Sequence, residues 1–168
     1  GLLRIPTGGS WTKTDFGPTI GATSGLHVNG GTFTQNGASI TNNGLFKTTT
    51  GTATIGSSSG NSITNQGSSS FIIDGAGTVN IAGRLKTTAS GSFNQSAGTL
   101  NVCTSGNGSS SVGSLDMASG TSFTMTGGAI NIVKENTNVT TQVDYKNLAG
   151  TVSISGGTLT IGTTATLA

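Results

Sequence analysis

Five apolar residues keep step along this chain: Phe33, Ile63, Phe93, Phe123 and Val152 recur at intervals of 30, 30, 30 and 29 residues. Each is followed seven or eight residues later by a second apolar site, namely Ile40, Phe71, Leu100, Ile130 and Leu159. The best-matched units read Phe93-Asn-Gln-Ser-Ala-Gly-Thr-Leu-Asn-Val102, Phe123-Thr-Met-Thr-Gly-Gly-Ala-Ile-Asn-Ile132 and Val152-Ser-Ile-Ser-Gly-Gly-Thr-Leu-Thr-Ile161. A fixed period of about 20–50 residues is the signature of stacked repeats, which build long faces and two ends rather than one deep pocket.

Around each site the pattern alternates, as in Leu115-Asp-Met117, Ile130-Asn-Ile132 and Leu159-Thr-Ile161. A period of two means strand, with one face in and one out. Gly-Gly, Asn-Gly, Ala-Gly and Ser-Gly steps separate these runs and supply the positive φ of tight corners. No helical periodicity appears, and glycine interrupts every run of helix formers. The expected fold is therefore all-β: a parallel β-solenoid (β-helix) with sequence repeats of about 30 residues, its strands stacked roughly 4.8 Å apart. Residues 1–22, with Trp11, Phe16, Pro6 and Pro18, read as an N-terminal cap or linking segment. Residues 23–168 read as the repeat domain. Phe33, Phe93, Phe123, Leu100, Ile130, Leu159 and Ile161 are the expected core.

The same alignment predicts outward rows. One is Thr34, Thr64, Asn94, Thr124 and Ser153; another is Asn101, Asn131 and Thr160. Gln35, Asn65 and Gln95 share the inward parity of the phenylalanines and predict an internal amide ladder, since buried amides need partners. Lys86, Asp116 and Asp144 also align.

Composition narrows the function. Hydrophobic residues make up 32% of the chain, and 29 glycines bring the core-compatible fraction near the ordinary globular level. The phase-locked apolar sites argue against disorder, because a disordered tract has no reason to keep phase. Only 7% of residues are charged. The lysines are scattered, so the concentrated positive face that nucleic acid requires is missing. A chain so poor in charge stays in solution through hydroxyl and amide hydration, or it assembles. Cys103 is the single cysteine, which excludes an internal disulfide and a cysteine metal cluster. No apolar run approaches the length of a membrane-spanning helix.

The acids are Asp15, Asp74, Asp116, Glu135 and Asp144. Glycosidase or calcium chemistry needs carboxylates gathered together, and only Asp116 and Asp144 share a register. His27 is the one histidine, with no serine or cysteine tied to it by motif. Glycine pairs such as Gly127-Gly128 lack the lysine and helix of a phosphate loop. Glycosylation triplets occur at Asn94-Gln-Ser96, Asn107-Gly-Ser109 and Asn138-Val-Thr140, as chance allows in so Ser/Thr-rich a chain. No catalytic residue, cofactor ligand or metal ligand is assigned. A carbohydrate-binding alternative would use Trp11, Phe16, Phe46 and Tyr145. An ice-binding alternative rests on Thr32/Thr34, Ser62/Thr64, Ser92/Asn94, Ser122/Thr124 and Thr151/Ser153, an array that resembles the threonine faces of β-helical antifreeze proteins.

The units Gly-Thr-Val-Asn-Ile-Ala-Gly-Arg-Leu85, Ser-Phe-Thr-Met-Thr-Gly-Gly-Ala-Ile-Asn-Ile132 and Gly-Gly-Thr-Leu-Thr-Ile-Gly162 resemble repeat regions of large secreted surface proteins of Bacteroidota, over residues 25–168. The resemblance implies adhesins or surface filaments exported by the type IX secretion system, and it implies no catalytic residues. Autotransporter passenger domains look similar too, and no C-terminal sorting domain is recognisable here. The start at Gly1 and the stop within the pattern 158–168 read as a piece of a longer chain. The expectation is a non-enzymatic extracellular or cell-surface module that self-associates end to end or by strand addition. A surface glycan is an alternative partner, and neither nucleic acid nor membrane insertion is expected.

Overall fold

Alternation between inward apolar and outward polar residues turns nearly every segment of the chain into strand. The structure, a computed structural model, describes residues 1–88, 90–107, 113–137 and 143–162. The first strands are β1 (Leu2–Pro6), β2 (Ser10–Lys13), β3 (Thr19–Ile20), β4 (Gly25–Gln35), β5 (Ile40–Asn42) and β6 (Leu45–Ile55). They continue with β7 (Ile63–Asn65), β8 (Ser70–Ile73), β9 (Thr78–Ile81), β10 (Leu85–Thr87), β11 (Ser92–Gln95) and β12 (Thr99–Val102). The last are β13 (Leu115–Met117), β14 (Ser122–Ile132), β15 (Tyr145–Asn147) and β16 (Thr151–Ile161). No helix occurs among the described residues.

All the strand pairings are parallel. One sheet has six strands in the order β15-β13-β10-β7-β5-β3. The other has ten, and its pairing closes on itself. The first half of β6 pairs with β8 and its second half with β9. Likewise β14 pairs with β11 and then with β12. Together with β8–β11 and β9–β12 this completes a parallel ring of six: β6, β8, β11, β14, β12, β9. Two of the 11-residue strands make the closure, and each needs a bend at its middle. Gly51 (φ 85°) and Gly128 (φ 82°) supply it; there L-residues other than glycine are strained, and a Cβ on Gly51 would overlap the Gly31 carbonyl oxygen.

This arrangement corrects the expectation of a parallel β-solenoid with uniform repeats of about 30 residues. The first sheet is a closed six-strand ring with flanking strands, accompanied by a second parallel sheet, and the stacking interval is not constant. Phe33 lies between Trp11 and Ala53, while Ile63 belongs to the second sheet, between Ile40 and Leu85. The intervals along one column are 25 residues from Phe46 to Phe71, 22 to Phe93, 30 to Phe123 and 29 to Val152. The reason lies in the connections entering the second sheet. Three residues (82–84) precede β10, whereas twelve (103–114 and 133–144) precede β13 and β15. The 30-residue spacing therefore reports register in the later strands and is coincidental in the earlier ones.

The core is mostly apolar. Phe33, Phe46, Phe71, Phe93, Phe123, Leu100 and Ile130 are buried. The predicted core residues Leu159 and Ile161 are instead exposed, on an edge strand with no further neighbour among the described residues. The single amide ladder expected from Gln35, Asn65 and Gln95 is also corrected, because β4, β7 and β11 place them in different columns. A shorter ladder exists in the second sheet. Asn42 Nδ2 donates to Asn65 Oδ1 at 2.7 Å, and both amides donate to backbone carbonyls of the first sheet, Ser70 and Ser92.

Replacing Phe123 by Ala is expected to destabilise the fold by about 3–5 kcal/mol, the usual range for emptying a buried phenylalanine site. Val152→Ala, in the same column but half exposed, should cost well under half of that. Urea unfolding of the two variants checks this ordering, and equal losses would contradict the edge position of β16.

Candidate functional site

Parallel stacking leaves strand edges, and these are the least satisfied parts of the molecule. β16 pairs only with β14 among the described strands. Its Val152, Ile154, Leu159 and Ile161 stand beside the buried Phe123, Met125, Ile130 and Ile132, yet are 48%, 57%, 38% and 47% exposed. At the other side β1 and β2 flank β4. Leu3 is exposed there although its register partner Leu26 is buried. Trp11 is half-buried and stacks on Phe33 with ring centroids 5.1 Å apart. A recess of about 290 Å³ opens at this end, lined by Leu3, Trp11, Pro18, Ile20 and Leu26 among others.

A second feature is a polar face on the first sheet. Thr32, Thr52, Thr78, Thr99, Ala129 and Thr158 form one outward row. Thr34, Thr54, Asn80, Asn101, Asn131 and Thr160 form the next. Asn101 donates to Asn80 at 2.8 Å and Asn131 to Asn101 at 2.9 Å. The expected row of Asn101, Asn131 and Thr160 is thus present. The array expected from Thr32/Thr34, Ser62/Thr64, Ser92/Asn94, Ser122/Thr124 and Thr151/Ser153 is not one row. Thr64 sits in the second sheet, and Asn94, Thr124 and Ser153 line the other half of the first.

Charge collects at one corner that sequence spacing did not reveal. Arg4, His27 and Lys47 are consecutive neighbours across β1, β4 and β6. Lys47 Nζ lies 2.5 Å from Asp74 Oδ2, and the Thr49 hydroxyl donates to Asp74 Oδ1 at 2.7 Å. His27 Nε2 lies 2.9 Å from Thr49 Oγ1. Because the threonine proton is committed to Asp74, the histidine is the donor in that bond. Burial, then the charges of Lys47 and Arg4, lower the His27 pKa from its ordinary 6.5, against the opposing pull of Asp74. The Asp74 pKa is lowered too: burial pushes it up, but the Lys47 and Thr49 hydrogen bonds and the positive charges outweigh that. Both shifts favour the deprotonated form in the fold: the Asp74 interactions stabilise the fold above the ordinary carboxylate pKa and are lost as pH falls through the lowered one, while His27 adds a penalty as it is forced to protonate in the fold at pH below its ordinary value. For an exposed ion pair this amounts to at most about 1 kcal/mol.

The other titratable candidates stay apart from that corner. Burial pushes the Cys103 thiol up to about 11, with a Ser114 hydrogen bond opposing, which suits a structural thiol and not a nucleophile. Asp144 accepts from the Asn136 backbone N–H at 2.7 Å and from the Ser114 hydroxyl at 3.3 Å. Asp116 is buried and accepts from the Gly113 N–H. Its strand neighbours are Lys86 and Lys146, so Asp144 leaves the register expected for it. Asp15 is exposed, and Glu135 lines a separate recess with Lys134 and Asn107. Among the described residues no group of three or more His, Cys, Asp or Glu could hold a metal ion, and no helix is long and apolar enough to cross a membrane. Of the aromatic candidates for sugar stacking, Phe46 is fully buried, Tyr145 and Trp11 pack on the core, and Phe16 is 84% exposed. Asn94 points outward on β11, while Ser109, Asn138 and Thr140 lie outside the described residues.

No protein-family model, curated protein or solved structure matches this chain. Its chemistry is therefore read from its own geometry.

The His27 corner makes a sharp electrostatic prediction. Asp74→Asn removes the one charge that raises the His27 pKa, so the imidazole should titrate lower still, whereas Lys47→Gln should let it rise. An NMR pH titration of the His27 ring protons checks both signs.

Proposed function

We propose that the chain is a non-enzymatic structural module that assembles through its strand edges, as part of an adhesin, stalk or filament at the cell surface. The observation that supports this reading is β16. It carries four apolar side chains in line with the buried columns, and beside them an edge with no further partner among the described residues. Strand addition at such an edge satisfies backbone groups and removes apolar surface in one step. The surface location rests on the likeness of the repeat units to secreted Bacteroidota proteins and on the Ser, Thr and Asn coating with few charges. The isolated acids, the unreactive Cys103 and the shallow recesses favour a structural role over catalysis.

A second reading is favoured by one observation, the paired outward rows of Thr and Asn, interrupted by Ala129, on β4, β6, β9, β12, β14 and β16. Their spacing is roughly 4.8 Å between strands and roughly 6.6 Å along each strand. Regular and rich in hydroxyls, this face suits binding to an ordered surface such as ice.

Two measurements test these readings. Under assembly, sedimentation velocity and electron microscopy at neutral pH show concentration-dependent rods or fibres, and Ile154→Lys with Leu159→Lys abolishes them while leaving the strand-rich circular dichroism spectrum. A protein that stays monomeric at all concentrations refutes assembly. Under ice binding, ice recrystallisation is inhibited by the unmodified chain and not by Thr52→Lys with Thr78→Lys. Identical crystal growth with and without protein refutes that reading.

A further inference from the structure

We propose that the partner at the β16 edge is a second copy of this chain, docked head to tail in one register, with its β1 and β2 laid parallel along β16. This rests on the assembly reading above and specifies its geometry. The two edges belong to the same columns. Leu3, Leu26, Phe46, Phe71, Phe93, Phe123 and Val152 follow one another by register, as do Trp11, Phe33, Ala53, Val79, Leu100, Ile130 and Leu159. Adding the next copy by the same rule puts its Leu3 against Val152, Ile5 against Ile154, Trp11 against Leu159 and the stem of Lys13 against Ile161.

Strand direction permits this docking and opposes the alternative. Every pairing in the fold is parallel, and β1, β2 and β16 run the same way in their columns, so translation along the stack preserves the pattern. A two-fold dimer of β16 edges would be antiparallel. Spacing permits it as well. Val152 and Leu159 are seven residues apart and Leu3 and Trp11 eight. The fold already pairs such a seven with an eight, since Phe46 and Ala53 stack on Phe71 and Val79. The apolar recess bordered by Leu3 and Trp11 then receives the side chains that β16 leaves exposed. The register of the contact is set by the first sheet, whose outer strands β1, β2 and β16 carry the matching columns. A head-to-tail contact of this kind does not close, and it propagates into an open filament.

Outward residues report the register without disturbing the core. Arg4 and Ser153 end the same outward row at opposite edges, and Thr12 belongs to the neighbouring half. Full-length Arg4→Cys and Ser153→Cys chains, mixed under mild oxidation, should form a disulfide-linked heterodimer, because adjacent parallel strands bring paired Cα atoms within disulfide reach. Thr12→Cys mixed with Ser153→Cys should form none. Sedimentation of each variant before oxidation shows whether association itself persists. Association without the Arg4–Ser153 crosslink, or Ser153 homodimers as the main product, overturns this register and leaves assembly standing. Loss of association in the unmodified chain overturns both.

Discussion

A run of six aromatic rings holds this molecule together. Trp11, Phe33, Phe46, Phe71, Phe93 and Phe123 follow one another with centroid separations between 5.0 and 6.4 Å, alternating stacked and edge-on contacts. Parallel pairing in register places Trp11 beside Phe33 in one column and Phe46, Phe71, Phe93 and Phe123 side by side in another, and the edge-on contact of Phe33 with Phe46 joins the two. Such ring pairs add about 0.5–1.5 kcal/mol each beyond the area they bury. This explains how a chain with only 32% hydrophobic residues folds at all. Its core is supplied by alternate residues of the strands, from one in β1 and β3 to four in β14.

The same register sorts the polar groups. Some inward polar positions are answered by a neighbouring strand, as Asn65 answers Asn42. Where an outward position is polar, rows form, as in Asn80, Asn101 and Asn131. Charges are rare, so the Arg4, His27, Lys47 and Asp74 corner stands out, but its groups largely satisfy one another. The weak points of the scheme are the Thr48, Ser69 and Thr87 hydroxyls and the side-chain carbonyls of Gln35 and Gln95. Each is buried with no hydrogen-bond partner among the described residues, a cost that the surrounding packing must offset.

How much of this was legible depended on connection length. Phe93, Phe123 and Val152 read correctly as neighbours because equal connections of twelve residues keep the interval near 30. So did Leu100, Ile130 and Leu159. Earlier strands have shorter and unequal connections, and there the regular spacing of Phe33 and Ile63 misled. A clearer signal stood beside it: Ile40-Thr-Asn42 and Ile63-Thr-Asn65 are identical tripeptides 23 residues apart, and they pair in register. That shorter interval would have placed Ile63 in the second sheet. Phe46 hid for the same reason. The His27 corner could not be read from spacing, since Lys47 and Asp74 reach it through intervals of 20 and 47 residues that no repeat announces. Ring closure was equally hidden, because it depends on β6 and β14 bending at Gly51 and Gly128 and so serving two partners each.

The two outer edges of the first sheet differ in a way that bears on assembly. Natural sheets protect exposed edges with charge, proline or bulges. β1 and β2 carry Arg4, Pro6 and Lys13, and the register of β1 slips at Pro6. β16 is protected less: Thr-Val-Ser-Ile-Ser-Gly-Gly-Thr-Leu-Thr-Ile contains neither charge nor proline, and only the register shifts between it and β14 at Met125–Ala129 interrupt its edge. A protected edge and a less protected one cannot associate with each other as readily as two unprotected ones would. Yet the protection on β1 and β2 lies in side chains that point outward or stand at the ends of strands. Arg4 faces away from the core, and Lys13 closes β2. Leu3 and Trp11, which a neighbour would touch first, are left apolar. The charges therefore discourage sideways or out-of-register contact while leaving one aligned approach open, and that selectivity separates an ordered contact from indiscriminate aggregation.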